Sequence, residues 1–254
     1  MTEKVFLLGG YDLEMQEIKN ILEQNGNTYL DKQLKWDNAL LEAYRDELEI
    51  YLNNKAYAIY GIELQEQGFD LPSNYYRIDH HNALSDLPSS IEQVCTLLDV
   101  PMSRHLELVA ANDKAYIPGM EAIGASIDEI SDIRLKDRQA QGVTQRDEEL
   151  AKQALRHKKR EGDLIIIYSH SDRFSPICDS LYPSDKLLIY TDDELVYYGK
   201  GKDKLVTLFS QEIKNGNIYH GGGDTGYIGT GKGKYGKSYM ETIKEMIIKE
   251  IAIK

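Results

Sequence analysis

Three consecutive residues, Asp79-His80-His81, close the apolar run that ends at Ile78 and set a carboxylate beside two imidazoles. Neutral imidazole and carboxylate are ligands for a divalent cation, and a second adjacent ring leaves one imidazole for an anion. Much further along, Gly221-Gly222-Gly223 stands inside Tyr-His-Gly-Gly-Gly-Asp-Thr-Gly-Tyr-Ile-Gly. Bare backbone N–H groups in such a run receive phosphate or carboxylate oxygens. Together the two segments point to phosphate-ester chemistry.

The elements that must position these residues follow from hydrophobic periodicity. Val5–Leu8 reads as a strand ended by Gly9-Gly10, after which Met15, Ile18, Ile21 and Leu22 recur at helical spacing until Asn25-Gly26. A helix is expected over 38–52, with strands at 56–62 and 75–78. Ser89 or Ser90 is placed to cap a helix whose apolar face is Ile91, Val94, Leu97 and Leu98, and another helix is expected over 105–111. Strands alternating with helices predict a parallel sheet covered on both faces. From about 128 to 161 the chain is charged, including the run Arg156-His157-Lys158-Lys159-Arg160. Interleaved acids favour a solvated linker helix there over a nucleic-acid patch. Further strands are expected at 164–168, 186–190, 195–198 and 205–209, then a last amphipathic helix over 239–253. The fold class is therefore α/β: a parallel-sheet domain over 1–150, a linker helix at 151–162, and a smaller α/β domain with a mixed sheet over 163–254.

Composition bounds the partners. The 254 residues are 41% apolar, enough for a packed core, and the net charge of −12 opposes tight non-specific binding of a long nucleic acid. A short nucleotide is compatible with it. Cys95 and Cys178 lack CxxC spacing, no stretch approaches the ~20 apolar residues of a membrane span, and the N-terminal residues show no cleavable signal pattern. Cytoplasm is the expected compartment, without a membrane partner.

In a parallel sheet, ligands gather at the carboxyl ends of the strands. Asp12 and Glu14 follow the first strand, Glu63 the second, and Asp79-His80-His81 the third. Asp113 lies after the helix that follows the histidines, with Asp128 and Asp132 as alternatives. Such oxygen and nitrogen donors suit Mn²⁺ or Mg²⁺. His105 and His157 read as solvated helix positions, His220 as a turn residue, and His170 as a candidate for facing a cleft. Gly-Thr-Gly-Lys-Gly-Lys (229–234) lacks Walker spacing and reads as a loop or lid.

These motifs resemble the DHH phosphoesterase family, named for the Asp-His-His triplet, over nearly the whole chain. The resemblance implies a two-domain fold with a C-terminal Gly-Gly-Gly motif that binds substrate. It implies Asp12 on a first metal, Glu63 bridging, and Glu14, His80 and Asp113 on a second. His81 would contact substrate phosphate, and Asp79 would orient a histidine. The chain departs from the family pattern at Leu8, where a histidine usually precedes the first Asp by four residues. Glu14 and Glu63 stand where Asp is usual, and Asp224 where His often follows the glycines. The number of ions, one or two per chain, stays open. The implied activity is a metal-dependent phosphohydrolase or phosphodiesterase that uses metal-activated water on a small phosphate ester or short oligonucleotide. Arg173, Lys200 and Lys202 are the candidates for a terminal phosphate or carboxylate, and a homodimer is allowed. The alternative is a non-catalytic nucleotide-binding or sensor protein with a degenerate metal site.

Overall fold

The computed structural model describes residues 2–252 except 36, 37, 52, 53 and 224. The chain falls into two compact units, Met1–Gly142 and Val143–Lys254.

In chain order the first unit comprises β1 (Glu3–Leu8), α1 (Leu13–Gln24), β2 (Thr28–Asp31), a 3₁₀ turn (Leu41–Tyr44), α2 (Arg45–Tyr51), β3 (Tyr57–Ile62), β4 (Tyr75–Ile78), α3 (Ser90–Leu98), α4 (Arg104–Ala122) and α5 (Ile127–Ala140). Its strands form a parallel sheet in the order β2-β1-β3-β4. Leu8 is in register with Ile62, and Ile62 with Ile78, so three strands end level and the residues that follow them emerge side by side. Because the chain leaves β1 to one side for β2 and to the other for β3, a crevice opens at their carboxyl ends. Alternate side chains go to opposite faces. Val5, Leu7 and Ile59 pack with Leu41, Tyr44 and Leu48 of the 3₁₀ turn and α2. Phe6, Leu8 and Ile62 are buried on the other face, beneath the mutually packed α1, α3, α4 and α5. Tyr44 Oη donates to the Leu8 carbonyl (2.6 Å) and buttresses the end of β1.

Several boundaries differ from the sequence reading. β2 went unread because Thr-Tyr-Leu-Asp is a short, half-buried edge strand without clear alternation. The helix expected over 38–52 is a 3₁₀ turn followed by the seven residues of α2, and Leu52 lies outside the described residues. The helix expected over 105–111 runs on through Ala122, interrupted at Ala115 and Tyr116 (φ +56°). Pro118 causes the break, since it lacks an N–H and its ring collides with the carbonyl four residues back.

The second unit comprises α6 (Gln145–Arg156), β5 (Lys159–Glu161), β6 (Leu164–Tyr168), α7 (Ser175–Ser180), β7 (Lys186–Tyr190), β8 (Leu195–Gly199), α8 (Lys202–Leu208), α9 (Ser210–Lys214), β9 (Ile218–Gly221), β10 (Tyr227–Thr230) and α10 (Lys237–Ile251). Its mixed sheet has the order β5-β6-β7-β8-β10-β9, with β6 and β7 parallel and the other pairs antiparallel. Leu164, Ile166, Leu188 and Tyr197 pack under α8 and α10, while Ile165, Ile167, Leu187 and Ile189 pack under α6 and α7. The strand expected at 205–209 is instead helix α8 and its cap. Five mostly apolar residues carry no decisive period, and Gly201 (φ +89°) turns the chain into a helix. The expected linker is also displaced. Residues 151–162 hold the end of α6 and β5, and Ala151 and Ala154 are core residues of the second unit, so the division falls at 142/143. Among the described residues no helix is long and apolar enough to cross a membrane.

Candidate metal centre

Glu63 leaves β3 with a left-handed backbone (φ +53°), which turns its carboxylate inward; such strain in a non-glycine residue persists only where the surroundings enforce it. Gly9 permits the turn: a Cβ there would lie 2.5 Å from the carbonyl oxygens of both Ile62 and Glu63. Ser90 Oγ donates to Glu63 Oε1 (2.7 Å), while Ser89 makes the capping box of α3. The next residue along α3, Ile91, donates its N–H to Glu14 Oε1 (3.0 Å), so one helix start orients two carboxylates. Asp12 caps α1, its Oδ1 accepting from the Met15 N–H (2.9 Å).

His80 Nε2 is the meeting point. It lies 2.6 Å from Asp113 Oδ2, 3.5 Å from Glu63 Oε1 and 3.7 Å from Glu14 Oε2. His81 Nε2 is 3.5 Å from Glu63 Oε1, and the two imidazole rings are 4.2 Å apart. One donor atom from each of Glu63, His80, His81 and Asp113 lies within 4.8 Å of all the others. Asp79 serves the turn instead: Oδ2 accepts from Arg77 Nη2 (2.6 Å) and Oδ1 from the His81 N–H (2.8 Å). Its contact with a histidine is to the His81 backbone, not to an imidazole.

Asp12, Glu14 and Glu63 are buried, and burial of carboxylates needs compensating charge. Burial, with the charges of Glu63 and Asp113, raises Asp12 to about 8. Burial also lifts Glu14 well above the carboxylate range against the opposing imidazole of His80. At Glu63 burial works the same way, yet the imidazoles of His80 and His81 outweigh it and hold the carboxyl below its ordinary value. Burial alone would depress His80; Asp113, Glu14 and Glu63 reverse that and push it up to about 12. Glu14 Oε2 and Glu63 Oε2 are buried without a hydrogen-bond donor. An acid-rich pocket with acceptors to spare, two imidazoles and hard oxygen donors fits a divalent cation, for which the proton on His80 is the substitute.

The sequence reading missed the groups that hold this arrangement. Arg134 Nη1 donates to Asn112 Oδ1 (2.9 Å) and to Asp137 Oδ2 (2.7 Å), and its guanidinium lies over the Tyr116 ring (4.5 Å). Asp137 Oδ1 accepts from the Leu13 N–H (3.4 Å). The pair on α5 thus grips α4 just before its break, at Asn112 beside Asp113, and at the break itself, at Tyr116, together with the first residue after Asp12. Nothing in a highly charged segment distinguished Arg134 and Asp137 from their neighbours. Arg77 was missed as well: with Gln65, Asn82, Asp79, His81 and Glu63 it lines a polar cleft of about 540 Å³.

The remaining expected residues behave differently. Asp128 and Asp132 stay exposed on α5, Asp132 paired with Lys136 (2.7 Å), so only Asp113 of the three reaches His80. His105 pairs with Glu17 (2.9 Å), and His220 is exposed on β9. Gly222 (φ +73°) and Gly223 (φ +58°) make the turn after β9 in conformations that favour glycine, and Asp224 lies outside the described residues. Lys202 is buried and donates to the Gly223 carbonyl, and Lys200 pairs with Asp185 (2.8 Å). Arg173 does not join them. Tyr168 is in register with Tyr190 and Tyr190 with Leu195, which puts the loop of Arg173 at the start of β8, while Lys200 follows its end.

No family model and no curated protein matches this sequence. The fold is DHH-like, joining a parallel four-stranded sheet to a separate mixed six-stranded one. It is similar to a DHH domain described as a member of the s1p family of ribosomal proteins, with a TM-score of 0.53, 11% identity, and coverage of 98% of this chain and 87% of that one. It is also similar to RecJ from Thermus thermophilus, solved in complex with Mn²⁺, with a TM-score of 0.50 at 12% identity. That match covers 96% of this chain and 51% of RecJ, so the chain spans about half of RecJ's length. At such identities the likeness is one of fold.

Proposed function

We propose that this chain is a divergent DHH-type phosphoesterase that hydrolyses a small phosphate ester or short nucleotide with a divalent metal, Mn²⁺ or Mg²⁺. The convergence of Asp113, Glu63 and Glu14 on His80 Nε2, from four separate segments and with buried acceptors left over, carries the reading. Glu63, His80 and Asp113 would hold one ion, with the His81 imidazole beside them on the substrate side. Asp12 and Glu14 flank this set, where a second ion would draw on them, and Leu8, buried in the core, offers that ion no imidazole. When bound, such an ion supplies Lewis acidity, acidifying water and offsetting charge on a phosphoryl group.

The chain's own groups do the rest. Asp79 fixes the backbone turn that presents His81, the most exposed of the histidine and carboxylate side chains around Glu63, at the mouth of the cleft. There its imidazole is placed to hold a phosphate oxygen. Arg77, fixed by Asp79, adds N–H donors on the same wall, and a cleft of about 540 Å³ accommodates one small ester. Gln65 and Asn82 supply neutral hydrogen-bonding groups for the polar remainder of the substrate.

The test is a calorimetric titration of the metal-free chain with Mn²⁺, followed by hydrolysis of bis-p-nitrophenyl phosphate. Saturable Mn²⁺ binding with Mn²⁺-dependent release of nitrophenol is the expected result. Absence of any metal binding sinks the proposal. Leu8 favours the second reading, a non-catalytic nucleotide sensor, which requires nucleotide binding without hydrolysis at any metal concentration.

A further inference from the structure

We infer that the second unit carries its own nucleotide-binding pocket, between the end of α6 and the end of β6. A cavity of about 330 Å³ there is lined by Gln153, Ala154, Arg156, His157, Tyr168 and His170. No carboxylate lines it, in a chain whose net charge is −12. One guanidinium, two imidazoles, a phenol and a carboxamide therefore face a common space, a set of donors matched to a phosphate and to the hydrogen-bonding edge of a base.

The cations beside this cavity are uncommitted. Arg156, Lys158, Lys159 and Arg160 are exposed and form no ion pair with any described residue. Charge on a short edge strand discourages pairing with another sheet, which accounts for Lys159 and Arg160. A cation in the last turn of a helix complements its dipole, which accounts for the charge of Arg156. Neither effect requires a cavity, and neither places aromatic rings on its wall.

Those rings give the ligand its second half. Tyr168 is 37% exposed although it ends a strand whose other residues are buried. It is held edge-on by His170 (5.0 Å between centroids) and by Tyr190 (5.4 Å). A fixed aromatic face beside unpaired cations is the arrangement on which a base stacks while its phosphate is neutralised. The cavity has room for one nucleotide, so the ligand class is a mononucleotide or the end of a short strand.

The experiment is calorimetric titration of the full chain with adenosine 5′-monophosphate in EDTA, which keeps divalent metal out of the other unit. Saturable binding is expected, weakened about tenfold by Arg156→Gln and by Tyr168→Ala, and unchanged by Asp113→Asn. Inorganic phosphate and adenosine are each expected to bind more weakly than the nucleotide. No binding in EDTA, binding lost with Asp113→Asn but kept in Arg156→Gln, or phosphate binding as well as the nucleotide would each overturn the assignment. Because metal is excluded, failure here leaves the phosphoesterase proposal standing, and failure of that proposal leaves this one.

Discussion

The carboxyl ends of the parallel sheet and the strand ends of the mixed sheet treat polar groups in opposite ways. In the first unit, the buried Glu63 after β3 and Glu14 of α1, with the half-buried Asp113 of α4, are brought to one imidazole and left short of donors. In the second, apart from the cavity between the ends of α6 and β6, strand-end polar groups satisfy one another: Ser171 with Asp147, Lys200 with Asp185, Lys232 with Asp172, and Thr191 with Asp193. Strand direction is the reason. Parallel strands in level register deliver every following residue to the same edge, whereas antiparallel strands alternate edges and separate Arg173 from Lys200. A metal centre needs the first arrangement; a set of local turns and pairs results from the second.

The largest effect that sharpens this contrast is expected from His80→Ala. Removing the group on which three carboxylates converge should reduce Mn²⁺ affinity on the order of a hundredfold or more and abolish hydrolysis, measured by calorimetry and nitrophenol release. His81→Ala should slow turnover with a smaller loss of affinity. Equal losses in the two variants would mean that both rings are ligands and neither is reserved for substrate.

Next comes pH. Asp12, Glu14 and His80 all have folded values above their unfolded ones, so their contribution to stability is full at low pH and is lost as pH rises. Asp12 contributes from its ordinary value of 3.8 up to about 8, and His80 from 6.5 upward. Glu63, held low, is already ionised across that range. Urea midpoints of the metal-free chain should therefore fall between about pH 5 and 9, and saturating Mn²⁺ should flatten the trend. Calorimetry should show Mn²⁺ affinity rising over the same interval as bound protons are displaced. A metal-free midpoint that rises with pH would refute this account of the buried charges.

A smaller effect is expected from Arg134→Gln, which releases Asn112, Asp137 and the Tyr116 ring without touching a donor atom. Mn²⁺ affinity should fall about 10- to 100-fold while unfolding stays cooperative, with Mn²⁺ electron paramagnetic resonance reporting a changed ligand environment. Loss of stability with unchanged affinity and spectrum would make the pair merely structural. The smallest effect belongs to the second unit: Lys200→Ala breaks an exposed ion pair and should change stability by about 0.5 kcal/mol or less in urea unfolding. Hydrolysis should be unaltered, and a large loss would return Lys200 to the substrate.

The metal-centre candidates were legible because they are local to strand ends. Glu63 and Asp79-His80-His81 directly follow strands that hydrophobic pattern alone locates, Asp12 and Glu14 come at the turn and helix start after another, and periodicity also placed β3, β4, β6 and β7 within a residue. Asp113 could not be separated from Asp128 and Asp132 by pattern, since all three sit on exposed helical spacing; the break imposed by Pro118 and the grip of Arg134 decide which one turns inward. The strand expected at 205–209 failed for lack of period, and the linker helix because Ala151 and Ala154 look polar-flanked in sequence yet are buried by α6 packing on its sheet.

Residue order alone sets the types of donor, their succession and the alternation of strands and helices that makes a parallel sheet. Which donors meet is settled by the folded chain. Register sets Leu8, Ile62 and Ile78 level, Gly9 yields the space into which Glu63 turns, and Ser90 and Ile91 aim two carboxylates from a helix start. Those are relations between segments tens of residues apart, and they arise from packing and hydrogen-bond geometry that no local pattern encodes.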